Sequence, residues 1–231
     1  MLTLTNIQAS YEGSRILRDV SLKVAPGQVV CLMGRNGVGK TTTLKAIMGL
    51  VQADSGSVKL GDAELTSLKP DARARHGLGY VPQGRDIFPN LTVMENLRIG
   101  AVAQGKKLNG EVERVFSLFP ILKEMTERKG GVLSGGQQQQ LAIGRALVLE
   151  PTFLILDEPT EGIQPNIVHE IGDTMVRLNR DLGMTILLVE QKLPMARRVA
   201  DRFTVLDKGR VVASGAMDEL DDGLVRRYLT V

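Results

Sequence analysis

The stretch that decides the fold reads Val29-Val30-Cys31-Leu32-Met33, followed by Gly34-Arg35-Asn36-Gly37-Val38-Gly39-Lys40-Thr41. Its apolar first part is bounded by turn signals, a pattern typical of a strand buried on both faces of a parallel sheet. The residues from Thr41 to Leu50 predict a helix. A glycine-rich loop between such a strand and such a helix matches the pattern that cradles nucleotide phosphates. The stretch therefore predicts an α/β protein with a phosphate-binding loop.

The chemistry of this loop follows from its residue types. Glycines let the backbone curl so that several N–H groups face one anion, and the start of the helix adds its positive dipole end. Lys40 should reach the β- and γ-phosphates, and the Thr41 hydroxyl should bind Mg²⁺. The predicted nucleotide-binding residues of this segment are Gly34, Arg35, Asn36, Gly37, Val38, Gly39, Lys40, Thr41 and Thr42.

A second apolar run ends in two carboxylates. It reads Phe153-Leu154-Ile155-Leu156-Asp157-Glu158 and predicts a parallel strand whose last side chains reach the ligand-binding edge of the sheet. An Asp-Glu pair after a strand is usually a solvated turn, but the phosphate loop favours a catalytic interpretation here. We expect Asp157 to hold Mg²⁺ directly or through water, and Glu158 to polarise the water that attacks the γ-phosphate.

Strand and helix patterns alternate around these two segments. Apolar runs predict strands at 2–9, 16–24, 58–60, 78–81, 186–189 and 203–206, and a turn at 11–15. Helical spacing dominates 88–150 and recurs at Ile167, Ile171, Met175, Leu178 and Leu182. The pattern predicts an α/β fold: a P-loop NTPase core with a mixed sheet, an N-terminal antiparallel β-subdomain and a helical insertion. We expect one domain over 1–231, with the core at 1–87 and 151–231 and the helical subdomain at 88–150.

Composition restricts the class of protein. The chain has 231 residues, of which 43% are hydrophobic and 24% charged, as in an ordinary globular domain. Lys plus Arg is 29 and Asp plus Glu is 26, and the net charge of +3 argues against a protein that coats nucleic acid. The single cysteine excludes a disulfide-stapled scaffold. We expect a cytosolic location, because no apolar run is long enough to span a membrane and no secretory signal is visible.

The pentapeptide Leu133-Ser134-Gly135-Gly136-Gln137 precedes a helical run and lies 23 residues before Asp157. It predicts a second helix N-terminus that could bind an anion. The alternative is an ordinary N-cap serine with a flexible entry turn.

The order of phosphate loop, pentapeptide and acidic strand closely resembles the ATP-binding subunit of ABC transporters, over essentially the whole chain. The resemblance implies ATP and Mg²⁺ as cofactors. It also implies that two nucleotide domains pair head to tail, so that each ATP lies between one phosphate loop and the partner's pentapeptide. Ser134, Gly135, Gly136 and Gln137 would then serve an ATP held by a second ABC ATPase subunit, in a homodimer or a heterodimer.

The resemblance assigns roles to further positions. Tyr11 resembles the aromatic residue that stacks on adenine. Gln83 resembles the glutamine that senses Mg²⁺ and the attacking water and links them to the helical insertion. The segment 88–92 would contribute to the surface that grips integral membrane permease subunits. The subunit would thus lie peripherally on the inner face of the cell membrane and serve a solute-binding protein indirectly.

Two positions depart from the family pattern. Gln164 stands where an aspartate is usual, and Gln191 stands where the catalytic switch histidine is usual. Glutamine can donate a hydrogen bond to the γ-phosphate but cannot carry a positive charge, so we expect this site to hydrolyse ATP below the full rate. The remaining histidines, His76 and His169, are expected at the surface.

The same departures narrow the subfamily. Gln191 resembles one of the paired ATPases of branched-chain amino acid importers. Gly84-Arg85 and the segments 133–140 and 159–165 resemble still more the corresponding subunit of importers of urea and short-chain amides. Urea or a short-chain amide is therefore the first expectation for the cargo, with branched-chain amino acids as the alternative.

Two interpretations outside transport remain. An ABC-type ATPase that works on ribosomes or DNA usually carries two such domains or a long coiled coil, for which 231 residues leave no room. A small-molecule kinase built on the same loop would lack the Ser134-Gly135-Gly136-Gln137 element.

Overall fold

The computed structural model describes residues 1–11, 13–103, 105, 107–108 and 110–230. The strands are β1 (Leu2–Tyr11), β2 (Ser14–Val24), β3 (Val29–Met33), β4 (Ser55–Leu60), β5 (Ala63–Glu64), β6 (Leu78–Val81), β7 (Phe153–Asp157), β8 (Thr185–Val189), β9 (Arg202–Asp207) and β10 (Arg210–Ala216). The helices are α1 (Lys40–Met48), α2 (Pro70–Arg75), α3 (Val93–Ala103), α4 (Glu111–Leu118), α5 (Pro120–Glu124), α6 (Gly135–Leu147), α7 (Pro165–Arg180), α8 (Leu193–Val199) and α9 (Asp222–Tyr228).

The larger sheet has the order β10-β9-β3-β8-β7-β6. The five strands from β9 to β6 in this order run parallel, and β10 pairs antiparallel with β9 at one edge. Every residue of β3, β7 and β8 is buried, because packing covers both faces of the sheet. The predicted mixed sheet is therefore confirmed, including the buried strand that precedes the phosphate loop.

The smaller sheet is antiparallel and has the order β2-β1-β4-β5. Its inner face packs with α1 and one face of the larger sheet into a single hydrophobic cluster. The phase of β1 changes after Asn6, where the pairing with β2 shifts register and Asn6 takes a φ of 48°. This β-bulge explains the phase slip in the apolar pattern and confirms the N-terminal antiparallel sheet.

The described residues between 88 and 150 form α3 to α6 and a 3₁₀ turn at Gly130–Val132. The apolar sides of these helices share one hydrophobic cluster with the second face of the larger sheet and with α7. The helical character of this stretch is as predicted. Its treatment as a separate subdomain, with the core at 1–87 and 151–231, stays a prediction.

Some local expectations differ from the structure. Leu182 was expected on the helix that contains Ile171, but α7 ends at Arg180 and Leu182 is 63% exposed. Helix α1 ends at Met48 because Gly49 takes a left-handed φ of 73°. The turn expected at 11–15 gives way to β2 at Ser14, and Glu12 lies outside the described residues.

The short elements β5, α2, α5, α8 and α9 were not predicted, because two to seven residues carry too little periodicity to recognise. Within the described part of the chain, no helix is both long enough and apolar enough to cross a membrane.

Arg73 on α2 holds the end of the helix that follows the phosphate loop. Its guanidinium donates to the carbonyls of Ala46 and Ile47 at 2.7 Å each, in the last turn of α1, and also to Leu68 and Thr66. The residue is only 4% exposed. A buried cation at a helix C-terminus donates to the free carbonyls there and interacts favourably with the negative end of the helix dipole. Arg73 therefore stabilises the C-terminal end of α1.

Replacing this guanidinium should destabilise the fold. Arg73→Met leaves the four carbonyls without their donor, and we expect the free energy of unfolding to fall by about 2–4 kcal/mol in a urea titration. Arg75→Met is the matched control, because Arg75 forms only an exposed ion pair with Asp71 and should change stability by less than about 0.5 kcal/mol. Equal effects of the two substitutions would contradict this role of Arg73.

Candidate nucleotide-binding site

A cavity of about 630 Å³ opens at the carboxyl ends of the parallel strands β3, β7 and β8. The phosphate loop and the start of α1 contribute Asn36, Gly37, Gly39, Lys40, Thr41 and Thr42 to its wall. Tyr11, the last residue of β1, also lines the cavity, and the loops after other strands contribute Gln83, Glu158 and Gln191. Ten of the predicted site residues are thus brought together around one cavity.

The phosphate loop depends on glycine backbone geometry at its two ends. Gly34 has a φ of 145°, and a Cβ built there would lie 2.3 Å from the carbonyl oxygen of Leu206. Gly39 has a φ of 108° and begins α1 without a side-chain cap. The helix start therefore presents its N–H groups to the cavity. Gly34, Arg35 and Val38 do not line the cavity, and the first two present their carbonyls to Lys40.

Lys40 is folded back onto the loop that carries it. Its Nζ donates to the carbonyl oxygens of Gly34 at 2.8 Å and Arg35 at 3.0 Å, and it lies 3.7 Å from Oε1 of Glu158. Burial lowers the pKa of Lys40, while the neighbouring carboxylate of Glu158 acts in the opposite direction. The buried ammonium group of Lys40 therefore lies against its own loop, where protein oxygens accept its hydrogen bonds.

Asp157 ends β7 and carries an unsatisfied carboxylate. It is 1% exposed, and neither of its oxygens has a hydrogen-bond partner of normal geometry. Burial raises the pKa of Asp157 to about 6, although the nearby Thr41 hydroxyl favours the charged form. A buried carboxylate without a partner is costly, which indicates that a cation completes this place.

The predicted ligands suit Mg²⁺ by their chemistry. Asp157 offers a carboxylate with the Thr41 hydroxyl beside it, and Gln83, which lines the cavity, offers an amide oxygen. Among the described residues, no group of three His, Cys, Asp or Glu side chains could hold a metal by itself. A small number of protein ligands is enough for Mg²⁺, because the ion usually keeps several waters and also binds substrate phosphates.

Glu158 and Gln191 are joined directly. The Nε2 of Gln191 donates to Oε1 of Glu158 at 2.6 Å and to Oδ1 of Asn36 at 2.8 Å. Glu158 has a φ of 47°, and its N–H donates to the carbonyl of Val189 on the neighbouring strand. A left-handed glutamate is strained, so this bond to β8 holds the carboxylate in place.

Several residues of the cavity wall were missed by the sequence analysis: Ile16, Glu161, Glu190 and Lys192. Glu161 accepts a hydrogen bond from Gln83 at 2.8 Å and so joins two separate loops. Glu190 follows the buried strand β8 directly, just as Asp157 ends β7. The rule that selected the end of β7 would have selected Glu190 as well.

The pentapeptide 133–137 begins α6. Ser134 accepts a hydrogen bond from the N–H of Gln137, and Oε1 of Gln137 accepts one from the N–H of Ser134, a reciprocal capping box. Gly136 is packed so closely that a Cβ would lie 2.7 Å from Ile167. Ser134, Gly135, Gly136 and Gln137 are all described, and none of them lines the cavity of their own chain. Ser134 is thus the N-cap residue of α6, and it is exposed; its role in binding an anion stays a prediction.

A sequence profile of ABC transporters matches residues 17–161. The chain belongs to the ABC transporter family. It is an ABC-type ATPase, and its hydrolysis of ATP is coupled to transport.

The chain is similar over most of its length to curated relatives. It is 42% identical to the high-affinity branched-chain amino acid transport ATP-binding protein BraG of Pseudomonas aeruginosa, over 92% of this chain and 91% of that protein. It is 40% identical to the probable branched-chain amino acid transport ATP-binding protein LivF of Archaeoglobus fulgidus, over 95% and 94%. It is 34% identical to the lipopolysaccharide export system ATP-binding protein LptB of Escherichia coli, over 99% and 96%.

Solved structures agree with the fold. The chain superposes with a TM-score of 0.85 on a dimeric ATP-binding cassette in a post-hydrolysis state with ADP and Pi, at 26% identity, over 94% of this chain and 99% of that one. It superposes with a TM-score of 0.84 on the ADP conformation of another ABC transporter cassette, at 29% identity, over 98% and 97%. ABC cassettes of this fold thus bind ADP, and one is dimeric.

The orphaned carboxylate should reduce the stability of the nucleotide-free protein. We expect Asp157→Asn to raise the free energy of unfolding by about 1–2 kcal/mol near neutral pH, because it removes a buried charge without a partner. Burial moves the pKa of Asp157 from 3.8 to about 6, so the unfolded chain ionises first as the pH rises. The gain in unfolding free energy from Asp157→Asn should therefore be absent below pH 3.8. It should grow between pH 3.8 and about 6, and stay constant at higher pH.

Urea titrations over that pH range measure this dependence. The control is Asp62→Asn in an exposed turn, which should have little effect. A stability gain for Asp157→Asn that did not change with pH would contradict the assignment of an unpaired charge to Asp157.

Proposed function

We propose that this chain is the ATP-hydrolysing subunit of an importer of branched-chain amino acids. The observation that carries this proposal is its 42% and 40% identity to BraG and LivF over more than nine-tenths of the chain. Local segments such as Gly84-Arg85 resemble importers of urea and short-chain amides, which made these compounds the first expectation for the cargo. These full-length relatives favour its alternative, branched-chain amino acids.

ATP would occupy the cavity above the phosphate loop. Tyr11 is 54% exposed at the end of β1 and offers its ring to adenine. The loop and the start of α1 offer N–H groups to the phosphates. Lys40 would exchange the carbonyls of Gly34 and Arg35 for phosphate oxygens, a change that needs little movement since the ammonium already stands beneath the loop.

The hydrolytic step would use Glu158 as the general base. Bound Mg²⁺, held by Thr41, Asp157 and Gln83, would neutralise charge on the β- and γ-phosphates. Gln191 orients the carboxylate of Glu158 through its 2.6 Å hydrogen bond, and its amide can donate to the γ-phosphate. A neutral amide gives less charge stabilisation than an imidazolium, so hydrolysis at this site should be slow.

A second ABC ATPase subunit would complete the site. The exposed Ser134, with Gly135, Gly136 and Gln137, begins a helix of 13 residues and would meet the γ-phosphate of an ATP held by the partner chain. ATP would then favour a closed pair and hydrolysis an open one, because the γ-phosphate joins donors from both chains.

The link to the permease would run through Gln83 and the segment 88–92. Asn96 is fully buried and fixes this segment by bonding to the backbone of Phe88, Leu91 and Thr92. Phe88 remains 43% exposed on this rigid segment. It would contact integral membrane permease subunits at the inner face of the cell membrane, and the solute-binding protein would be reached only through them.

Two substitutions separate nucleotide binding from hydrolysis. Lys40→Ala should weaken MgATP binding by about tenfold or more in a fluorescence titration, because it removes a charge-assisted phosphate contact. Glu158→Gln should keep MgATP binding and lower the ATPase rate by about 10²–10⁴-fold, because it removes the general base. Lys59→Ala, at an exposed lysine, is the control that should change neither quantity. A Glu158→Gln variant with the wild-type ATPase rate would overturn the assignment of the base.

Uptake by intact cells tests the cargo. In a strain without this gene, we expect leucine uptake to be lost and urea uptake to be unchanged. The wild-type gene should restore leucine uptake, and the Lys40→Ala gene should not. Loss of urea uptake with normal leucine uptake would refute the proposed cargo and favour the urea alternative.

A further inference from the structure

Glu190 is a buried carboxylate that the mechanism above does not use. It lies between Val189, the last residue of β8, and Gln191, and it is 3% exposed. Its Oε1 accepts the backbone N–H groups of Gln191 at 2.8 Å and Lys192 at 2.9 Å. Its Oε2 accepts the hydroxyl of Thr160 at 2.6 Å. Three donors therefore converge on the two carboxylate oxygens of this one side chain.

These contacts tie the loop after β8 to the loop after β7. Thr160 is 0% exposed and lies two residues after Glu158. The Nζ of Lys192 also donates to the carbonyl of Thr160 at 2.8 Å, so Thr160 contacts the other loop through both its side chain and its backbone. Together with the bond from Glu158 N–H to the Val189 carbonyl, the contacts fix the backbone on both sides of the Glu158–Gln191 pair.

The side chain of Gln191 is held by contacts that a nucleotide could displace. It is exposed, and its hydrogen bonds are to Glu158 and Asn36, both of which would face nucleotide. Since a bound γ-phosphate would compete for the same amide, the backbone must supply the fixed position. Within the part of the chain that the structure describes, the backbone N–H of Gln191 donates to the Glu190 carboxylate.

We propose that Glu190 and Thr160 form a clamp that positions Gln191 against Glu158 for ATP hydrolysis. Glu190 is a positioning residue: although it borders the cavity, its carboxylate is bonded to Thr160 and to the backbone of Gln191 and Lys192, so it acts through Gln191. The inference rests on the roles proposed above for Glu158 and Gln191. It adds that the distance between Glu158 and Gln191 is set by the buried hydrogen bond from Thr160 to Glu190, not by the Gln191 side chain alone.

The clamp makes a prediction about kinetics. Thr160→Val removes the hydroxyl with little change of shape and leaves Oε2 of Glu190 unpaired. We expect kcat of the full-length chain with MgATP to fall about tenfold or more and KM for ATP to change less than about twofold, since misplacement of a catalytic group affects the chemical step more than binding. Thr160→Ser keeps the hydroxyl and should restore most of kcat. Glu190→Gln should lower kcat as Thr160→Val does, because an NH₂ group that cannot accept a hydrogen bond replaces one of the two accepting oxygens.

Thr174→Val is the matched control. Thr174 is another buried threonine, whose hydroxyl donates within α7 to the Glu170 carbonyl, far in sequence from both loops. It should leave kcat unchanged. If Thr174→Val lowers kcat as much as Thr160→Val does, the effect is general destabilisation and the clamp is refuted.

A double-mutant cycle distinguishes positioning from a purely structural role. In a Gln191→Ala background, Thr160→Val should lower kcat by less than about twofold further, because the residue that the clamp positions is gone. Additive losses would refute the clamp.

Glu158→Gln, measured in parallel, separates this inference from the proposed function. If Glu158→Gln abolishes turnover while Thr160→Val and Glu190→Gln leave kcat at the wild-type value, the clamp is wrong and the proposed function stands. If Glu158→Gln leaves turnover intact, the proposed base is wrong and the clamp falls with it.

Discussion

The parallel register of three neighbouring strands is the constraint on which the site depends. Leu32 of β3 pairs with Val189 of β8, and Val189 pairs in turn with Asp157 of β7. The carboxyl ends of all three strands therefore lie at the same level along one edge of the sheet. The phosphate loop, the acidic pair and the loop that carries Gln191 begin side by side for this reason. A shift of one residue in the pairing of β7 or β8 would turn the side chains of that strand to the opposite face of the sheet.

The site is assembled from groups that the nucleotide-free chain satisfies only in part. Asp157 has no hydrogen-bond partner of normal geometry, and Glu158 has a left-handed backbone conformation. Both features cost stability in the absence of ligand. Binding of a nucleotide with its metal would supply the missing partners, so part of the binding free energy would offset strain that the fold already contains.

The local pattern of the sequence was sufficient for the central sheet and most of the site. The buried runs at 29–33 and 153–157 are long and bounded by clear turns, and the chemistry-bearing residues follow them directly. Arg73 could not be predicted, because its partners Ala46 and Ile47 lie 26 or 27 residues earlier in the chain. Glu190 shows a different failure. Its position after a strand was visible in the sequence, but its partner Thr160 is set by the neighbouring strand. The cargo is harder still, because no residue of this subunit would contact it.

The central claim is that one chain supplies only half of the surroundings of the γ-phosphate. Ser134 caps an exposed helix end, and the serine does not line the cavity of its own chain. The most direct measurement is a crystal structure of the Glu158→Gln chain with ATP and Mg²⁺. The account predicts two chains related head to tail, with each γ-phosphate between Lys40 of one chain and Ser134 of the other. A single chain that encloses ATP alone, with Ser134 facing solvent, would contradict it.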